Sequence, residues 1–216
     1  MKRVALLSAI FLTVVFLPVF GQNATVTQIT GKVQLLSPGG QWVDAARGSV
    51  VTPGTVVSTG FSSTAVLDLG TSQLQVRQLT RMKLEELVRS QGTVTTSLFL
   101  TVGAVHANVA NNLGVTQKFT IQSPISTAAV RGTIFDFDGF TVTVDRGVVH
   151  FSNIDNLGRE VAANQSSSLD GPYVPGSAEE FQMANSNVSG NTNPGGGGTP
   201  TGPAGGGSGS ITVTIN

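Results

Sequence analysis

A chain of 216 residues with 11% charged residues and zero net charge can hold one domain with tails, or at most two small domains. It has no cysteine, which excludes a disulfide framework and any thiolate metal centre. The charge balance argues against a nucleic-acid binder, which would carry a Lys/Arg stripe, and provides no polybasic patch for an anionic membrane. The 27 glycines, the abundance of Val and Thr and the scarcity of helix-favouring runs point to an all-β chain.

Residues 1–21 read as an export signal. Lys2 and Arg3 form a positive n-region, Val4 to Phe20 is an apolar run interrupted by Pro18, and cleavage is expected after Gly21. Retention of the run as a membrane anchor is the competing reading, since its length sits at the lower edge of a spanning helix. No other segment is apolar enough to span a bilayer.

The β domain is expected over residues 22–180. Ile29 to Leu36 reads as a strand bent at Gly31, and Pro38-Gly39-Gly40 as a turn leading to Trp42, a core or rim aromatic. Val50 to Gly60 reads as a hairpin-like unit whose Pro53-Gly54 suits a type II turn. Ser63 to Gly70 and Ser72 to Arg77 read as two strands around Gly70-Thr71. Gln78 to Arg89 carries a run of charges and fits a strand or a short helix; a solvent-facing strand is preferred. Thr93 to Ala110 and Lys118 to Gln122 continue the pattern past an Asn111 to Gly114 turn.

Ser123 to Asn153 is the most regular stretch. Ile134 to Phe137, then Phe140, Val142 and Val144 alternating with Thr141 and Thr143, and then Val148 to Phe151 are strands between glycines. A motif of the form Gly-x-Val-[Gln/His] occurs at Gly31 to Gln34, Gly103 to His106 and Gly147 to His150. Each copy should begin a strand at a glycine corner, with Val inward and the polar residue outward. Such corners suit a solenoid-like architecture or a twisted β-sandwich. Asn156 to Val161 reads as a hairpin, and Gln165 to Glu180 as mostly loop. Residues 181–210 form a Gly-rich, low-complexity linker, expected to be disordered. Residues 211–216 give one alternating strand in which Ile211, Val213 and Ile215 share a face.

From about Thr30 to Asn153 the chain resembles the FecR domain, an exported all-β module. The resemblance rests on Gly31 to Val33, Trp42, Gly54-Thr55-Val56-Val57-Ser58-Thr59-Gly60 and Ala65-Val66-Leu67. It rests most on Phe119 to Pro124 followed by Val130-Arg131-Gly132-Thr133-x-Phe135, and closes on Val144 to His150. It implies an exported protein-interaction module. The best-known members relay signals below a cytoplasmic anti-sigma segment and a membrane span; neither is recognisable here. Some FecR-like regulators cut themselves at a Gly-Thr bond, which the motif match would place at Gly132-Thr133.

Catalysis by other routes finds little material. A hydrolytic triad needs a positioned base, and the two histidines, His106 and His150, fall at outward strand positions. Asp136, Asp138 and Asp145 read as turn-flanking residues, and Asp136-Phe137-Asp138-Gly139 lacks the further oxygen ligands of a calcium loop. No metal site and no cofactor are expected. At Gly132-Thr133 the Thr hydroxyl could attack the preceding carbonyl if the corner were strained.

These readings converge on an exported, non-enzymatic protein-interaction module of the periplasm or cell surface, which binds another envelope protein or a cell-wall component. A self-processing envelope regulator and a structural, surface-displayed component are the alternatives. The linker reaches on the order of 25–30 Å as a random coil, enough to bring Ile211, Val213 and Ile215 to an open sheet edge on this molecule or a partner.

Overall fold

The computed structural model describes residues 20–111, 114–170 and 174–175, and within them the fold is all-β. The strands are β1 (Phe20–Gly21), β2 (Ala24–Thr30), β3 (Val33–Leu36), β4 (Trp42–Asp44), β5 (Val50–Val51), β6 (Val56–Thr59) and β7 (Thr64–Asp68). They continue with β8 (Ser72–Val76), β9 (Arg81–Ser90), β10 (Thr93–Val102), β11 (Val105–Val109), β12 (Thr116–Gln122) and β13 (Ser126–Val130). The rest are β14 (Ile134–Phe137), β15 (Thr141–Arg146), β16 (Val148–Asn153), β17 (Gly158–Ala162), β18 (Gln165–Asp170) and β19 (Val174–Pro175). The export signal up to residue 19, the linker and the terminal strand with Ile211, Val213 and Ile215 lie outside the described residues.

Two sheets stack as a sandwich. One runs β17-β16-β13-β12-β10-β9-β6-β3-β4 with β1 beside β9, and the other runs β19-β18-β15-β14-β11-β8-β7-β2-β5. Both orders follow the chain almost monotonically, because through most of its length the chain lays two strands in one layer and crosses to the other. This combines the two architectures the sequence suggests: a β-sandwich built up repetitively along one axis. Neighbouring strands are mostly antiparallel; β10 and β12 are parallel because β11 occupies the opposite layer between them.

The core lies between the layers and follows period-two alternation. On β10 the buried residues are Val94, Thr96, Leu98 and Leu100; on β15 they are Val142 and Val144. Ring edges lock the layers together. Phe119 of β12 meets Phe135 of β14 with centroids 6.4 Å apart at 84°, and Phe137 of β14 meets Phe151 of β16 at 6.3 Å and 76°. Each such pair is worth about 0.5–1.5 kcal/mol beyond its buried area.

The glycine corners are layer crossings. Gly103 has φ +95°, and a Cβ there would lie 2.3 Å from Thr80 Oγ1 and 2.5 Å from Thr80 Cα. Only glycine fits both the backbone angle and the contact. The buried Thr80 hydroxyl accepts from Ala104 N at 3.0 Å. At Gly31 the same role falls to Ser63, whose Oγ accepts from Lys32 N at 2.8 Å. At Gly147 it falls to Thr133, whose Oγ1 donates to the Val148 carbonyl at 3.0 Å. At each of the three motif copies, therefore, a hydroxyl from another crossing holds the residue just after the glycine. Val33, Val105 and Val149 point inward as expected, and all three are buried.

Several expectations need correction. Ile29 to Leu36 is two strands in different sheets, not one bent strand, because Gly31 turns the chain between layers. The Thr52 carbonyl does accept from Thr55 N at 3.0 Å around Pro53-Gly54, with Gly54 at φ +90°. However, β5 and β6 belong to opposite sheets, so the unit is a crossing and not a hairpin. Gln165 to Asp170 is a strand where loop was expected. Its inward positions include Ser167 and Leu169, and a Ser-rich strand gives no apolar alternation to read. The charged run is a strand, as preferred, with Met82, Leu84 and Leu87 buried and its charges on the open face.

Candidate functional site

The Gly132-Thr133 bond lies at a crossing from β13 to β14. Gly132 has φ +64°, and a Cβ there would fall 2.6 Å from Asn111 Cβ. Thr133 is fully buried. Besides its bond to Val148, its hydroxyl lies 3.4 Å from the Arg131 carbonyl, and its own carbonyl accepts from Val109 N at 2.9 Å. Its hydroxyl partners are thus backbone carbonyls, none of which can take up a proton as a general base. The arrangement gives Thr133 a clear structural post.

The histidines occupy the outward positions the motif assigns them, and each faces a carboxylate directly across the sheet. His106 pairs in register with Asp136 of β14, with Nδ1 3.3 Å from Oδ2. His150 pairs with Glu160 of β17, at 3.0 Å. The Gln34 amide donates to Asp44 of β4 in the equivalent place, at 3.0 Å.

Two aspartates are not where the sequence suggests. Asp138 does cap a turn, its carboxylate accepting from Phe140 N and Thr141 N at 2.9 and 2.6 Å. Asp136, however, lies within β14, and Asp145 is the extra residue of a bulge in β15, where the register shifts against Ile134 and Phe135. One donor atom from each of His106, Asp136 and Asp145 comes within 4.8 Å of the others. The Arg77 guanidinium is paired with Asp136, so positive charge is already seated at this cluster.

A further surface emerges from the topology alone. All turns and crossings fall on two long flanks of the sandwich, one carrying Gly31, Gly103 and Gly139 and the other Gly70, Gly132 and Gly147. Of the ten exposed large apolar side chains among the described residues, six lie on the Gly103 flank: Phe61, Leu79, Val102, Phe140, Ile154 and Leu157. Phe61 is 78% exposed and Ile154 71%. Leu79 has φ +54°, an unfavourable region for a branched side chain, and its N–H donates to the Gly60 carbonyl at 3.1 Å. Trp42, Val43 and Val50 form a smaller group at the β4/β5 edge; Trp42 lies at the rim beneath the Arg81 guanidinium, 5.6 Å from the ring centroid. The sequence reading missed the flank because its members are far apart in the chain. A signal was present: Phe61, Val102, Phe140 and Leu157 each adjoin a glycine, where the alternation breaks.

No protein-family model matches the chain, and no curated protein matches it. Among solved structures it is similar to two crystal structures, at 1.65 and 2.50 Å resolution, of a protein from Parabacteroides distasonis ATCC 8503 named as a candidate anti-sigma factor. The TM-scores are 0.45 and 0.46 at 13% and 14% identity, over 60% and 59% of this chain and 64% and 62% of theirs. The chain thus spans less than two thirds of the length of the structures it matches. Among the described residues, no helix is long and apolar enough to cross a membrane.

Proposed function

We propose that this protein is an exported, non-enzymatic module that binds another protein of the cell envelope, in keeping with its resemblance to the FecR domain. The observation that supports the reading is the apolar flank. Exposed apolar side chains gathered on one surface, on loops braced by a rigid sandwich, are what a protein-interaction site requires. The export half of the reading rests on Lys2, Arg3 and the apolar run that follows them.

The test is a crosslinking pull-down from the native envelope with the wild-type chain and with a Phe61→Ser/Ile154→Ser double variant. The wild type should recover a partner that the variant loses, while both remain folded by circular dichroism. Recovery of the same partner by both, or no partner for either, overturns the assignment to this flank. Fractionation then decides between a periplasmic module and a surface component.

A further inference from the structure

The Gly132 flank carries a feature of a different kind. On the outer face of the first sheet, Lys118 of β12, Arg131 beyond β13, and Val148 and His150 of β16 line an open groove of about 520 Å³, with Glu160 at its far end. Thr120 and Ala129 form its floor, and their small side chains leave the space unfilled. That volume lies within the range of small-ligand sites.

Its charges are not balanced. Phe119 faces Val130 in the β12–β13 register, so Lys118 and Arg131 come next on each strand, both exposed on the groove side. Like charges brought together on neighbouring strands destabilise a sheet. Neither forms an ion pair among the described residues. The one carboxylate lining the groove, on Glu160, is already held by His150 Nδ1 at 3.0 Å.

Arg131 also borders an adjoining crevice of about 170 Å³ beneath the Gly132 corner, shared with Asn111 and Thr116. Gln117, between Thr116 and Lys118, turns its side chain to the core with Phe119 and Ile121, so the outward face is left to the two cations. A guanidinium fork and an ammonium thus border one concavity.

We infer that the groove bounded by Lys118 and Arg131 binds an oxyanion group, carboxylate or phosphate, of a ligand. The Arg131 fork matches either group with paired hydrogen bonds, and Lys118 adds a point charge. The site lies on the flank opposite the apolar loops, so it stands whether or not those loops bind a protein.

The test titrates the purified protein at low salt with pyrophosphate and, separately, with citrate, following amide resonances by NMR. Saturable shifts should appear at the backbone amides of Lys118 and Arg131 with at least one probe. The apparent Kd should rise about tenfold or more in Arg131→Gln and in Lys118→Gln, both exposed positions that leave the core intact. Arg47→Gln, which removes an exposed arginine between β4 and β5 at the far edge of the sandwich, should change it far less. The probe that saturates at lower concentration identifies the phosphate or the carboxylate source. Absence of saturable shifts with both probes overturns the inference, as does an equal loss of affinity in the Arg47 variant.

Discussion

His150 and Glu160 stand opposite each other across β16 and β17, Nδ1 3.0 Å from Oε1, in the same geometry that joins His106 to Asp136 and Gln34 to Asp44. The recurring Gly-x-Val-[Gln/His] motif therefore specifies a local unit: a glycine that changes layers, a valine in the core, and a polar residue that meets an acid on the next strand. It explains both histidines without assigning either a reaction.

That reading sets the strength of the His150–Glu160 contact. Both side chains are well exposed, at 49% and 65%, so solvent and salt screen the pair. A double-mutant cycle with His150→Gln and Glu160→Gln should give a coupling energy below about 1 kcal/mol. A coupling well above 2 kcal/mol, measured by urea denaturation, would mean that the pair does more than decorate the sheet.

Close approach, and not glycine as such, should dominate the cost of altering the corners. Gly48 and Gly103 have nearly the same φ, +90° and +95°, but a Cβ at Gly48 meets nothing within 4 Å while one at Gly103 strikes the Thr80 backbone. Gly48→Ala should cost about 1–2 kcal/mol from the backbone angle alone. Gly103→Ala adds an overpacking cost of about 1–3 kcal/mol. Equal losses in the two variants would contradict the crossing geometry.

Thr133 should prove structural. Removing its hydroxyl in Thr133→Val leaves the Val148 carbonyl short of a donor, a loss of about 1–2 kcal/mol. Intact-mass measurement of the purified protein should show no scission between Gly132 and Thr133, because the hydroxyl is buried and its hydrogen-bond partners are carbonyls. Two fragments meeting at that bond, absent from Thr133→Ala, would establish self-processing instead.

The exposed flank should be cheap to alter. Phe61 and Ile154 make few contacts to lose, so Phe61→Ser and Ile154→Ser should each shift stability by no more than about 0.5 kcal/mol. A large destabilisation, seen as a lower midpoint of thermal unfolding, would show that these side chains belong to the packed structure and not to a surface kept for a partner.

Most strands were legible because alternation is local. Val142 and Val144 declare an inward face within a few residues, and so do Leu98 and Leu100. The allocation of strands to layers was not. Gly70 closes a hairpin within one sheet and Gly31 changes sheets, yet each is a glycine between apolar runs; the difference lies in Ser63, more than thirty residues from Gly31. Asp145 was misread for a similar reason, since a bulge is a mismatch between two strands and belongs to neither alone. Arg131 and Lys118 could be read as charges, but not as neighbours.

The strand order has a consequence for how the molecule can be made. Each newly synthesised stretch finds its template already in place: β9 can join β6, then β10 joins β9, and β11 closes over β8 in the other layer. Assembly can therefore proceed from the amino-terminal end, step by step, with little need to wait for distant segments. In such a vectorial process the most recently added strands always form the exposed growing front. At Gly103 and Gly147 the latching hydroxyl, on Thr80 or Thr133, is already in place when the corner is made, whereas the Gly31 corner is latched only when Ser63 arrives.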